Sequence, residues 1–243
     1  MLKDIENWYT SWFDSPYYHI LYKNRDDKEA GLFMKNLTSF LNLSTSSKIL
    51  DLACGKGRHS KYLNQLGYHV TGIDLSPQSI VYAKQFENDK LFFEEYDMSL
   101  TYPQKFDAVF NLFTSFGYFE NEEDNLNTIK SIKKELNPNG FGVIDFLNSD
   151  YVEKHLVPSE TKIVDGISFN IQREVKAGYI LKHINFTHHN QEYNFTEKVK
   201  SISLSDFKYY FKEAGVKLKH CFGDYQLNKF NIDTSSRLIL IFK

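Results

Sequence analysis

Residues Lys48–Ser60 read KILDLACGKGRHS. A short apolar run ends at Asp51-Leu52, a turn with glycines at 55 and 57 follows at once, and a helical pattern runs from Arg58 to Leu66. A strand that feeds a tight glycine turn and then a helix N-terminus is a nucleotide-type binding device. The turn lets a ligand approach the backbone, and the N–H groups at the helix start face it.

Working outward from this stretch, strands are predicted at 48–52, 69–74, 91–95, 106–111 and 140–147. Helices are predicted at 58–66, 77–87 and 122–136, and Asn137-Pro138-Asn139-Gly140 ends the last of them. Such alternation means βαβ units and a parallel sheet. Before it, residues 27–43 carry Leu32, Phe33, Leu37, Phe40 and Leu41 at helical spacing, and residues 1–25 are dense in aromatics. After it, from about Thr161 to Ser203, the pattern changes to period two. ISFNIQREV, YILKHINFTHH and YNFTEKVKSISL predict three antiparallel strands, with turns near Ala177-Gly178 and Asn190-Gln191. A helix over 205–214, capped by Ser205 or a neighbour and stopped by Gly215, precedes closing strands near 216–222 and 236–242. The expected fold is a doubly wound α/β domain with a seven-stranded sheet and a small antiparallel β insertion after the fifth strand. It divides into residues 1–45, a core at 46–150, the insertion at 158–204 and a closing segment at 205–243.

A chain of 243 residues fits one domain with an elaboration and can bury a sizeable core. A net charge of −2 demands neither a nucleic acid nor an anionic membrane. The two cysteines, Cys54 and Cys221, do not make a disulfide framework, and a reducing compartment fits them better. No apolar run is long enough to span a bilayer, and MLKDIENWYTSWFD is too polar for a signal peptide. The expected location is cytoplasmic.

Four features converge on one ligand. The first is the turn Asp51-Leu52-Ala53-Cys54-Gly55-Lys56-Gly57. The second is Asp74, ending the second strand, where a carboxylate can accept both hydroxyls of a ribose. The third is Asp97-Met98, past the third strand, an acceptor beside an apolar side chain as an adenine requires. The fourth is Asn111–Phe119, NLFTSFGYF, at the end of the fourth strand. Taken singly, each has a plainer reading: a tight connection, a cap for the Ser76-Pro77 helix start, a loop residue. Together they fall in order at the carboxyl ends of strands, where open α/β sheets bind ligands.

With those motifs in place, ILDLACGKG resembles the first motif of Rossmann-like S-adenosylmethionine-dependent methyltransferases, and VTGIDLS resembles the second. YDMSL and FDAVFNLFTSFGYF are similar to the later motifs, so the resemblance covers about residues 48–147. Ala53 stands where the usual first motif has glycine. The resemblance implies S-adenosylmethionine as cofactor. It implies that Gly55 and Gly57 pass under the methionyl part and ribose, and that Asp51 faces the amino group. It places the ribose hydroxyls on Asp74, the adenine against Leu75 and between Asp97 and Met98, and the sulfonium side along Asn111 and Leu112. Tyr18, Tyr22 and Arg25 resemble an N-terminal pattern of small-molecule N-methyltransferases, including those acting on amino sugars. There that segment forms a helical lid near the methionine end of the cofactor. SFGYF, the antiparallel insert and the ending FGDY…SSRLILIFK also resemble that subgroup, but Tyr118 stands where a histidine often faces the acceptor.

The expected reaction is therefore methyl transfer to a small-molecule acceptor, without nucleic-acid or membrane partner, by a monomer or homodimer. Tyr118 is the first candidate to orient or deprotonate the acceptor, or else an aromatic wall. Tyr18 is the second, or else lid packing, and Arg25 pairs with either the methionine carboxylate or Asp26 or Glu29. No metal is expected: His155, His183, His188 and His189 lack a zinc-site spacing, and adjacent His188 and His189 point to opposite faces of a strand. His59 reads as a helix-start residue and Cys54 as a small packed one. Of the neighbours Arg173 and Glu174, only one can face a pocket. A nicotinamide oxidoreductase is disfavoured because G-x-G-x-x-G meets Ser60 at its third glycine. A cofactor-binding module without turnover, or a methyltransferase acting on RNA or protein, remains as an alternative. Against nucleic acid stand the lack of a basic stripe and of an Asn/Asp-Pro-Pro-Tyr/Phe segment.

Overall fold

The structure is a computed structural model that describes residues 8–23, 27–119 and 121–243, the side chains at 8–10 and 27–29 left aside. Two short helices open it, α1 (Trp8–Phe13) and α2 (Pro16–Leu21), followed by α3 (Asp27–Phe40). The alternating segment runs β1 (Lys48–Leu52), α4 (Arg58–Gln65), β2 (His69–Asp74), α5 (Pro77–Ala83) with a 3-10 turn at Lys84–Phe86, β3 (Leu91–Glu95), β4 (Phe106–Asn111), α6 (Glu122–Glu135) and β5 (Leu136–Leu147). Then come α7 (Ser149–Lys154), β6 (Ser159–Val164), β7 (Ile167–Lys176), β8 (Tyr179–His188), β9 (Gln191–Lys200), α8 (Leu204–Ala214), β10 (Leu218–Phe222) and β11 (Arg237–Phe242). The chain separates into two compact units. One takes the described residues of Met1–Arg25 with Val152–Ser201, the other those of Asp26–Tyr151 with Ile202–Lys243.

The larger unit holds a seven-stranded sheet in the order β10-β11-β5-β4-β1-β2-β3. The five strands β1–β5 are parallel, and β11 enters antiparallel between β5 and β10. Helices on both faces explain why β1 and β4 are buried almost continuously instead of alternating. The helix ends follow local chemistry. Ser76 caps α5 by accepting from the Ser79 N–H at 3.0 Å, with Pro77 in the first turn. Ser203 and Asp206 form a capping box on α8, and Gly215 stops it in a left-handed conformation (φ 66°). The cap of α8 is thus Ser203, two residues before Ser205. Of the apolar positions read on α3, Phe33, Leu37 and Leu41 are buried with Met34, whereas Leu32 and Phe40 are exposed. β5 begins directly after α6, so Asn137–Gly140 lies inside the strand, where its pairing with β4 shifts register between Phe106 and Ala108.

The smaller unit is a four-stranded antiparallel sheet, β6-β7-β8-β9, one strand more than the sequence pattern predicts. Its three hairpins turn through pairs of left-handed residues: Asp165-Gly166, Ala177-Gly178 and His189-Asn190. Two left-handed residues in succession match the twist of the flanking strands. The second expected turn sits one residue earlier than Asn190-Gln191. β6 escapes the pattern because it is an exposed edge with no apolar alternation. Trp12, Phe169, Ile184 and Phe186 form the apolar centre of this unit. Glu197 accepts from Trp12 Nε1 at 2.8 Å and from the Tyr22 hydroxyl at 2.5 Å.

Gly142 in β5 leaves no room for a side chain: an added Cβ meets the Phe242 ring at 2.5 Å and Ile132 at 3.0 Å. Gly142→Ala should destabilise the larger unit by about 1–3 kcal/mol through overpacking. Urea unfolding followed by far-UV circular dichroism checks this. Tryptophan emission does not, because both tryptophans, at 8 and 12, lie in the smaller unit.

Candidate functional site

The sheet order places β1 beside β4 and β2, so the chain reverses its winding between β1 and β4. Ligands of such sheets bind outside the carboxyl ends of the strands at this switch point. Four of the sequence-predicted groups stand there, all in the larger unit.

The turn after β1 carries three left-handed residues: Ala53 (φ 57°), Gly55 (φ 54°) and Gly57 (φ 77°). Ala53 therefore holds a left-handed backbone within the turn although it is not glycine. Gly57 packs so tightly that a Cβ would meet the Phe93 ring at 2.5 Å. Over Gly55, by contrast, no described atom lies within 4 Å of an added Cβ, so its surface is open to a ligand. Asp74 pins the turn: its Oδ2 accepts from the Gly55 N–H and its Oδ1 from the Ser76 N–H, each at 2.8 Å. The helix cap is Ser76, which leaves Asp74 as the clamp between turn and helix start.

Asp51 is 1% exposed and accepts from the Ser60 hydroxyl at 2.5 Å. Burial above all, with the negative charge of Asp74, pushes its carboxyl up to about 7 against the opposing hydrogen bonds from Ser60. Burial also pushes the Cys54 thiol well up, which makes it inert. Asp97 Oδ1 accepts from the Ser99 N–H at 2.8 Å, shaping the loop after β3. Asn111, wholly buried at the end of β4, donates from Nδ2 to the Leu52 carbonyl and the Met98 sulfur, each at 3.4 Å. Its Oδ1 has no hydrogen-bond partner among the described residues. Leu112 is buried beside it and Leu75 is 45% exposed. An open glycine backbone, ionisable carboxylates at two strand ends and an unsatisfied buried acceptor at a third suit a nucleoside bearing a cationic tail.

β4 continues into a feature the sequence reading missed. Phe113 (φ 57°) and Thr114 (φ 63°) are both left-handed, at about 1–3 kcal/mol of strain each. Asp145, fully buried in β5, accepts from the Phe113 N–H at 2.8 Å and from Arg237 Nε at 2.8 Å. Arg237 Nη2 donates to the Thr114 hydroxyl at 2.9 Å. Burial raises the Asp145 carboxyl, and Arg237 opposes that rise. The Phe113 ring stacks on His59 with centroids 4.3 Å apart and planes 6° apart. The one sequence signal was charge out of place: Asp145 inside FGVIDFL and Arg237 opening RLILIF.

Tyr118 is half-buried in the loop between β4 and α6. Between α3 and α4 lies an open pocket of about 220 Å³, its lining shared by Ala30, Gly31 and Met34 with Arg58, Lys61 and Tyr62. Tyr18 and Tyr22 belong to the smaller unit, where their rings lie 4.9 Å apart, and Arg25 lies outside the described residues. His183 bonds Thr196 at 3.0 Å and His188 bonds Tyr17 at 3.1 Å. Arg173 pairs with Glu160, and Glu174 lies 3.5 Å from His183. No group of three potential metal ligands occurs among the described residues.

Fold and strand topology together define a Rossmann-like α/β domain. Residues 49–140 match the model of a methyltransferase domain family. YqeM of Bacillus subtilis, assigned as a methyltransferase, is 34% identical over 124 residues, 49% of this chain and 50% of that protein. The dTDP-3-amino-3,4,6-trideoxy-alpha-D-glucopyranose N,N-dimethyltransferase of Streptomyces venezuelae is 27% identical over 41% of this chain and 42% of its own. The matched region thus spans half or less of these relatives. The same fold occurs in an S-adenosylmethionine-dependent methyltransferase from Clostridium acetobutylicum, with a TM-score of 0.78 and 20% identity over 93% of this chain and 95% of that one.

The raised Asp51 has a measurable consequence. It holds its proton to about pH 7 in the fold against an ordinary value of 3.8. Between those values the native state binds more protons than the unfolded chain, so stability falls as pH rises. Urea unfolding of ligand-free protein should show the wild type losing stability relative to Asp51→Asn from pH 4.5 to 7, by up to about 1.4 kcal/mol per pH unit. Parallel stability curves would show that the carboxyl is not raised.

Proposed function

We propose that this chain transfers a methyl group from S-adenosylmethionine to a small-molecule nucleophile, with an amino-sugar amine as the first acceptor class to test. The observation that carries the reading is the open, left-handed Gly55 turn clamped by Asp74 at the switch point of the sheet. The relation to an amino-sugar N,N-dimethyltransferase supports the acceptor class.

When bound, S-adenosylmethionine supplies a methyl group on a sulfonium that is already electrophilic. The backbone at Ala53, Gly55 and Gly57 would carry the methionyl part and ribose. Asp51 would face the amino group, which favours the ionised carboxylate, and Asp74 would take the ribose hydroxyls. Leu75, Asp97 and Met98 would hold the adenine, and Asn111 with Leu112 the sulfonium side. The cationic lining at Arg58 and Lys61 suits a carboxylate near the glycine turn. These residues orient donor and acceptor and exclude water, a placement that contributes on the order of 7–11 kcal/mol. A neutral amine attacks without a base, so the Tyr118 hydroxyl orients the acceptor. Two unpaired cysteines support a cytoplasmic setting.

Asp74→Ala should weaken S-adenosylhomocysteine binding by about 1–3 kcal/mol in calorimetry through loss of charge-assisted hydrogen bonds. Unchanged affinity in a folded variant would remove Asp74 from the site. Transfer of a labelled methyl group is then measured across amino-sugar nucleotides, simple amines, hydroxyl and carboxyl compounds. Tight cofactor binding with no transfer to any of them would make the chain a binding module. With an accepted substrate, Tyr118→Phe should lower turnover and leave S-adenosylhomocysteine affinity nearly unaltered; unchanged turnover would strip the hydroxyl of its role.

A further inference from the structure

Phe113 and Thr114 follow the sulfonium wall at once, and both are left-handed. A β-branched residue in this region is a conformational outlier, and such strain persists only where the surroundings hold it. The holding groups come from β5, β11 and the segment before β11. Asp145 receives the Phe113 N–H on Oδ2 at 2.8 Å and the Thr114 N–H on its backbone carbonyl at 3.0 Å. Arg237 donates Nε and Nη2 to Asp145 Oδ1 at 2.8 and 2.7 Å, and Nη2 reaches the Thr114 hydroxyl at 2.9 Å. The Tyr225 hydroxyl donates to Asp145 Oδ2 at 3.4 Å, and its ring lies 5.2 Å from that of Phe113. A buried ion pair is weak support for stability, because apolar side chains of the same volume do as well or better. What this pair supplies is a fixed geometry.

We propose that Asp145 and Arg237 together are positioning residues that lock the Phe113–Thr114 turn and so set the sulfonium wall against the glycine turn. The turn is joined to both. On one side it continues from Asn111 and Leu112. On the other, Phe113 lies flat on His59, two residues past Gly57 in α4. The link to the cofactor rests on the function proposed above; the lock itself does not.

Arg237→Met removes the fork, and Thr114→Gly removes the strain that the fork restrains, because glycine takes left-handed backbone freely. In Arg237→Met, amide exchange over residues 113–119, followed by mass spectrometry, should accelerate about tenfold, and S-adenosylhomocysteine affinity in calorimetry should fall about tenfold. Adding Thr114→Gly should return the affinity to within about threefold of wild type. A residue that touched the acceptor, or merely braced the sheet, would gain nothing from glycine at 114. Unchanged exchange and affinity in Arg237→Met, or no recovery in the double variant, overturns the proposal. Should Arg237→Met fail to fold, Arg237→Lys, which keeps the charge and loses the fork, carries the same readouts. A wild type that binds no S-adenosylhomocysteine sinks the cofactor reading, and the exchange measurement alone then decides the lock.

Discussion

The hydrogen bond from the Gly55 amide to Asp74 is the constraint on which the site depends. It fastens a turn containing three left-handed residues to the end of the neighbouring strand, and the other oxygen of the same carboxylate starts the next helix. Two βαβ units are thereby locked in one register at their carboxyl ends. The glycines serve different purposes within this arrangement. Gly57 is glycine because Phe93 fills the space a side chain would need, whereas Gly55 leaves its own side open.

Around that clamp the sheet ends gather polar groups that a stable core would avoid. Asp51, Asn111 and Asp145 are each buried to within 1% at the carboxyl end of β1, β4 or β5. Burying such groups costs free energy unless every one is satisfied. Asp51 answers with the Ser60 hydroxyl and a raised carboxyl, and Asp145 with Arg237 and the Phe113 amide. Asn111 keeps an acceptor unused among the described residues. These groups concentrate at one end of one sheet, with the strained Phe113–Thr114 turn beside them, the distribution expected of a functional end.

Much of this was legible in the chain. The ranges read for β1 to β4 coincide with the observed strands, because buried parallel strands are short apolar runs bounded by turn residues. Asp51, Asp74 and Asn111 were legible because each ends such a run. β6 was not legible, since an exposed edge strand needs no apolar alternation. Neither was the extension of β5 through Asn137–Gly140, where a proline and a glycine read as a stop, yet β4 pairs across a register shift. Ser203 prevailed over Ser205 as the cap because Asp206 stands three residues after it and completes the box.

By itself the sequence determined the alternation of strands and helices, the glycine turn and the order of the acidic strand ends, since each is a property of residues within a few positions of one another. Tertiary structure alone decided which distant residues share the site. Asp145 meets Arg237 across 92 positions and Thr114 meets Arg237 across 123, because β11 returns antiparallel against β5. No local pattern encodes that return, and a left-handed threonine becomes tenable only once it has happened.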